Sequence, residues 1–213
     1  MKGFDFRIGA ASLALAALVC AGCFDEPESA EKTVRPGQRI YMSGKGLKRF
    51  QLADLEHGSV PLAEIDYLNL DRNELTNVDE VAQLTGLKWL RLNGNRLTEL
   101  PDLSALKSLR RLYLRGNRLE RLPESLRELP ALTDLDLSGN PIAEVPEWLA
   151  QKEGLENLSF NHTGLKRLPD DLSHWRSLKS LQLGGLELSA AEMARIRAAF
   201  DPKENPLGTT IVF

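Results

Sequence analysis

Residues 87–97 read Leu87-Lys88-Trp89-Leu90-Arg91-Leu92-Asn93-Gly94-Asn95-Arg96-Leu97. The centre of this stretch, Leu90-Arg91-Leu92, alternates with period two, the signature of a short strand with its leucines on one face. Trp89 and Arg91 then point to the other face. So short a strand cannot bury its leucines alone and needs a neighbour of the same kind. The chain supplies five. The spacing recurs at Ile65/Leu68/Leu70/Asn73/Leu75, at Leu109/Leu112/Leu114/Asn117/Leu119 and at Leu132/Leu135/Leu137/Asn140/Ile142. It recurs with changes at Leu155/Leu158/Phe160/Thr163/Leu165 and at Leu178/Leu181/Leu183/Leu186/Leu188. The six starting positions step by 22, 22, 23, 23 and 23 residues, a period that identifies a stacked repeat architecture.

The pattern resembles the leucine-rich repeat family over residues 65–188. The resemblance implies an α/β solenoid with a curved parallel β-sheet on its concave face. Short helical or 3-10 turns on the convex face and a C-terminal capping helix complete the expected fold. It also implies that the repeat asparagine bonds the backbone of the neighbouring coil. Asn73, Asn95, Asn117 and Asn140 keep that residue, Thr163 can replace it only in part, and Leu186 cannot. The ladder is therefore expected to fray toward the carboxyl end. The proline-bearing halves beginning at Pro101, Pro123, Pro146 and Pro169 form the expected convex side, with Trp148 and Trp175 packed beneath it.

Composition agrees with a packed chain. Of 213 residues, 42% are hydrophobic and 40 are leucine, too apolar for a disordered polymer. Two cysteines exclude a disulfide framework, and a net charge of −3 gives no general attraction to nucleic acid.

Both ends of the repeat array need covers. Residues 39–64 read as an amino-terminal cap with a degenerate repeat (Leu47, Phe50, Leu52), and Arg39 to Met42 as a strand beside it. Residues 189–213 read as a carboxyl-terminal cap. There Ser189 and Glu192 form a capping box opening a helix to Phe200, and Thr209 to Phe213 form a last strand.

The amino terminus reads as an address. Lys2 and Arg7 precede an uncharged run, Ile8 to Val19, too short to span a bilayer comfortably. Ala21-Gly22-Cys23 resembles the lipobox of bacterial lipoproteins. That resemblance implies a signal peptide over 1–22, lipidation at Cys23 and an anchor in the cell envelope. Phe24 after the cysteine leans toward the outer membrane by the same likeness. Residues 23–38 then make an acidic tether, and no cysteine remains after Cys23.

Function is expected on the outward strand columns of the concave face. One column runs Tyr67, Trp89, Arg111, Asp134, Asn157, Ser180, and the other Asn69, Arg91, Tyr113, Asp136, Ser159, Gln182. Tyr67, Trp89 and Tyr113 thus stand among Arg91, Arg110, Arg111 and Arg115, the composition enriched at interface hot spots. The expected partner is a protein with an acidic patch, oriented by Asp134 and Asp136. An alternative is an anionic envelope polysaccharide or peptidoglycan fragment held by the same arginines.

No catalytic or cofactor motif is present. His57, His162 and His174 lack a second histidine or cysteine at ligand spacing, so no metal site is expected. Gly44-Lys45-Gly46 lacks the spacing of a phosphate loop. The chain is expected to be a non-enzymatic, membrane-tethered binder.

Overall fold

The computed structural model describes residues 37–55, 61–201 and 208–213. Cys23, the signal segment, residues 24–36 of the tether and His57 lie outside the described residues, while Gln38, expected to end the tether, belongs to the first strand. Each repeat places its alternating core in a strand. These are β2 (Ile65–Asn69), β3 (Trp89–Arg91), β4 (Arg111–Tyr113), β5 (Asp134–Asp136), β6 (Asn157–Ser159) and β7 (Ser180–Gln182). β1 (Gln38–Tyr41) adds before them and β8 (Thr210–Val212) after them. All eight form one open sheet in chain order, every neighbour parallel.

The register follows the repeat spacing. Leu68, Leu90, Leu112, Leu135, Leu158 and Leu181 stand side by side, and all are buried. Behind them the second inward residues, Leu70, Leu92, Leu114, Leu137, Phe160 and Leu183, complete a continuous apolar interior. Leucine dominates because every interior site repeats the same shape at each coil, and stacked leucines fill it in ordinary rotamers.

The asparagine positions stitch the coils. Asn117 Nδ2 donates to Leu92 O (2.9 Å) in the preceding coil and Leu114 O (2.8 Å) in its own. Its Oδ1 accepts from Leu97 N (3.1 Å). Asn95 does the same with Leu70 O, Leu92 O and Leu75 N, and Asn140 with Leu114 O, Leu137 O and Leu119 N. Asn73 extends the pattern into the amino-terminal cap through Met42 O, Lys45 N and Leu47 N. Thr163 Oγ1 reaches only Phe160 O in its own coil (2.9 Å).

The convex side holds 3-10 turns at Glu124–Glu128 and Ser173–Ser177 and the short helix α1 (Glu147–Ala150). The segment after Pro101, expected to turn helically, makes turns without a helix. Trp148 and Trp175 are buried there, and Trp175 Nε1 donates to Leu149 O (2.9 Å). The buried Lys152 amine donates to Arg127 O and Leu129 O, capping the 3-10 turn at Glu124–Glu128, and burial holds its pKa below the usual lysine range.

At the carboxyl end, α2 (Ala190–Ala199) covers the last coils with Ile196 and Phe200. Ser189 Oγ accepts from Glu192 N (3.1 Å), half of the expected capping box. The other half is replaced. The Glu192 carboxylate accepts from Leu168 N (2.9 Å) and pairs with Arg195 (2.7 Å), because a backbone donor of the adjacent coil competes for it.

Candidate functional site

β2 to β5 carry the outward residues named above, and β1 extends the face. The pairing puts Tyr67, Trp89, Arg111 and Asp134 in one row and Asn69, Arg91, Tyr113 and Asp136 in the next. β1 aligns Arg39 with Tyr67 and Tyr41 with Asn69. Neighbouring strands lie only about 4.8 Å apart, so these side chains stack directly.

They form a ladder of rings and guanidinium groups. Tyr41 and Tyr67 have centroids 5.1 Å apart, and Tyr67 meets Trp89 edge-on at 5.7 Å. The Arg111 guanidinium lies 4.3 Å from the Trp89 centroid, and Arg91 lies 5.7 Å from that of Tyr113. Arg39 approaches both Tyr67 (5.8 Å) and Trp89 (6.0 Å).

Tyr67 differs from expectation. It is only 7% exposed, because Tyr41, Arg39 and Trp89 close over it. Its role on this face is to support Trp89 and Tyr41, the latter 58% exposed. Trp89, Arg91, Arg111 and Tyr113 are half-buried, while Arg110 and Arg115 are exposed at either end of β4.

The arginines differ in how far they are neutralised. Arg91 grips Asp71 through Nε (2.8 Å) and a terminal nitrogen (2.7 Å). Burial works against its charge, but Asp71 outweighs that and its pKa lies above the usual arginine value. Arg111 Nε stands 3.8 Å from Asp134 Oδ2, a loose pairing. Asp134 is held elsewhere, accepting from Asn157 Nδ2 (2.8 Å) and Thr133 Oγ1 (2.6 Å). Asp136 turns along its own strand and accepts from Ser138 N and Oγ. Burial raises the pKa of both Tyr67 and Tyr113, so both phenols stay protonated at neutral pH.

Asp71 escaped the sequence reading. It is 6% exposed and follows the second inward leucine, a column that continues Asn93, Arg115, Ser138, Asn161. Its carboxylate accepts from Asn93 N (2.7 Å), Asn93 Oδ1 accepts from Arg115 N (2.9 Å), and Asn161 Oδ1 accepts from Gly184 N (2.6 Å). A second, discontinuous ladder of side-chain acceptors thus borders the strands. Its signal in the sequence is this third column, the residue that follows the second inward leucine of each coil. Tyr41 and Arg39 join this face through β1, whose cap carries no clear repeat period to mark outward residues in the sequence.

The repeat geometry, the parallel sheet and the asparagine ladder converge with a family-model match, described as leucine rich repeat, over residues 85–142. The fold is an α/β leucine-rich repeat solenoid. A search of curated proteins finds no significant match. Leucine-rich repeats commonly mediate protein–protein binding and are typically non-catalytic. Among the described residues, no cluster of three or more histidine, cysteine or acidic side chains could hold a metal. Nor is any helix among them long and apolar enough to cross a membrane. Two surface depressions lie away from the ladder, between the turns around Asn77, Leu100 and Leu122. The sheet face offers fixed guanidinium donors and stacked rings, groups suited to recognition.

Proposed function

We propose that this solenoid is a non-catalytic binding module, tethered to the bacterial envelope through a lipid on Cys23. It holds a protein partner against the exposed face of β1 to β5. The observation that carries the reading is the ring–guanidinium ladder from Tyr41 to Arg111. Large side chains are ordered on a surface where the core has no need of them, so their ordering cost is already met before a partner arrives. The partner's complementary patch is acidic, and Asp134 and Asp136 at the far side bias its orientation. Trp89 is covered by Arg111 on one side and edged by Tyr67, which leaves little free ring surface for a sugar to stack on. This favours a protein over an envelope polysaccharide.

The test is capture from envelope extract by the lipidated chain at two salt concentrations. Trp89→Ala with Arg111→Ala should abolish capture, and retained capture would place the interface elsewhere. Complex that persists at high salt supports an aromatic-centred protein interface, whereas complete loss supports the polyanion. For the anchor, Cys23→Ser should move the chain from the membrane to the soluble fraction. If it stays with the membrane, the lipid reading is wrong.

A further inference from the structure

Of the two basic coils on the ladder, those of β3 and β4, the second keeps more of its positive charge unpaired. Sequence alone spreads basic residues over the coils of β3 and β4, but their ion pairs differ. Before and on β3, Lys88 faces Asp66 at 3.9 Å and Arg91 is clasped by Asp71. After β3, Arg96 pairs with Glu74 (3.3 Å). Around β4 the run Arg110-Arg111-Leu112-Tyr113-Leu114-Arg115 has three guanidinium groups. Arg110 and Arg115 are exposed, and neither forms an ion pair with a described residue. Arg111 stands over the Trp89 ring at 4.3 Å, and the carboxylate it pairs with, Asp134, is pinned by Asn157 and Thr133.

A guanidinium fixed on an indole keeps its fork of donors in one orientation, the arrangement that recognises a carboxylate with two hydrogen bonds. Arg110 to Arg115 spans five residues, about 16 Å along the strand direction. Toward β5 the face turns acidic at Asp134 and Asp136, and toward β3 Arg91 is clasped by Asp71 and Arg96 pairs with Glu74, while Lys88 is paired as loosely as Arg111. An anionic ligand is therefore confined to a track along β4.

We propose that the partner presents an extended acidic peptide segment lying along β4, with successive carboxylates on Arg110, Arg111 and Arg115. This rests on the reading of the face as a protein-docking surface. It differs in assigning the charge recognition to one coil and in making Arg91 a structural support of Tyr113 rather than a contact.

Fluorescence anisotropy of labelled decaglutamate with the full chain tests it. Arg110→Gln with Arg115→Gln should weaken binding by about tenfold or more at low salt. Arg111→Lys, which keeps the charge but loses the planar fork, should also weaken it several-fold. Arg96→Gln with Lys179→Gln removes the same charge from side chains paired to Glu74 and Glu156, and should change binding less than about twofold. Unchanged thermal melting of Arg110→Gln/Arg115→Gln would show that folding is intact. Equal weakening by both double variants would overturn the proposal in favour of a general field, and absence of decaglutamate binding would overturn it directly. Equally tight, Arg110- and Arg115-dependent binding of an oligogalacturonate would overturn the peptide as occupant. If Trp89→Ala/Arg111→Ala abolishes partner capture while Arg110→Gln/Arg115→Gln leaves decaglutamate binding intact, the docking face stands and this assignment alone falls.

Discussion

At the scale of single residues, two recurring sites govern how the coils close. One is the position that ends each strand turn, asparagine after β2 to β5. Asn117 satisfies two carbonyls and one amide where water cannot reach, so Asn117→Ala orphans three buried backbone groups. With each such group costing about 1–3 kcal/mol, a loss of about 3 kcal/mol or more is expected in urea unfolding. Thr163→Asn should act in the opposite direction. It would supply donors toward Leu137 O and Phe160 O and an acceptor for Ile142 N, copying Asn140, and should raise stability by about 1 kcal/mol. A neutral or negative result would mean that the fifth coil is spaced differently from the others.

The other recurring site precedes that asparagine by one residue. Gly94, Gly116, Gly139 and Gly185 occupy it with φ between 65° and 72°, as do Arg72 at 56° and His162 at 53°. A side chain on Gly116 would meet only ordinary contacts, so the left-handed backbone rather than space explains the glycine there. His162 looks in sequence like an isolated surface histidine. In the fold it occupies the glycine column, and its ring lies against Gly185.

At the scale of elements, α2 shows how a solenoid is closed by something other than another repeat. A further coil would offer backbone groups to the last convex segment. Here Glu192 takes the Leu168 amide, while Arg195 donates to Leu168 O (2.9 Å), Pro169 O (3.1 Å) and Asp170 O (3.2 Å). The ion pair thus imitates a strand edge. The hydrogen bond from Arg195, aided by the Leu168 amide, holds the Glu192 carboxyl below the usual glutamate range against the effect of burial. A depressed native pKa means that the unfolded state takes up the proton first as pH falls. The stabilisation is therefore complete above about pH 5 and drains away below about pH 4. Glu192→Gln should lower stability at pH 7 by about 1–2 kcal/mol, and the deficit should shrink on acidification through that window, as followed by thermal melts. A deficit independent of pH would show that packing rather than charge holds the cap.

Over the whole molecule, stability is a sum of coil and neighbour terms, so local differences should be measurable. The coils of β2 to β5 carry the full asparagine clasp, and those of β6 and β7 do not. Native-state hydrogen exchange should find the β6 and β7 amides opening at lower free energy than those of β3 and β4. Uniform protection would mean that α2 and β8 compensate fully for the missing clasps.

Much of this architecture was legible in the sequence because the repeat transmits position directly. A fixed period with an alternating core determines strand location, sheet order and the membership of the outward columns. It also locates the asparagines, since only a small amide both donates and accepts at the inward turn. Three features depended on the folded chain. Tyr67 lost its exposure because β1, separated from it by a cap without clear periodicity, laid Tyr41 and Arg39 over the ring. Arg91 lost its free charge because Asp71, twenty residues earlier, is brought within hydrogen-bond reach by stacking. Glu192 left its local capping partner for an amide 24 residues away. Which side chains share a face follows from the backbone period, and so could be read from the amino-acid order alone. Which of them remain exposed or uncompensated was decided by tertiary structure, because burial and ion pairing depend on the groups that neighbouring coils bring within a few ångströms.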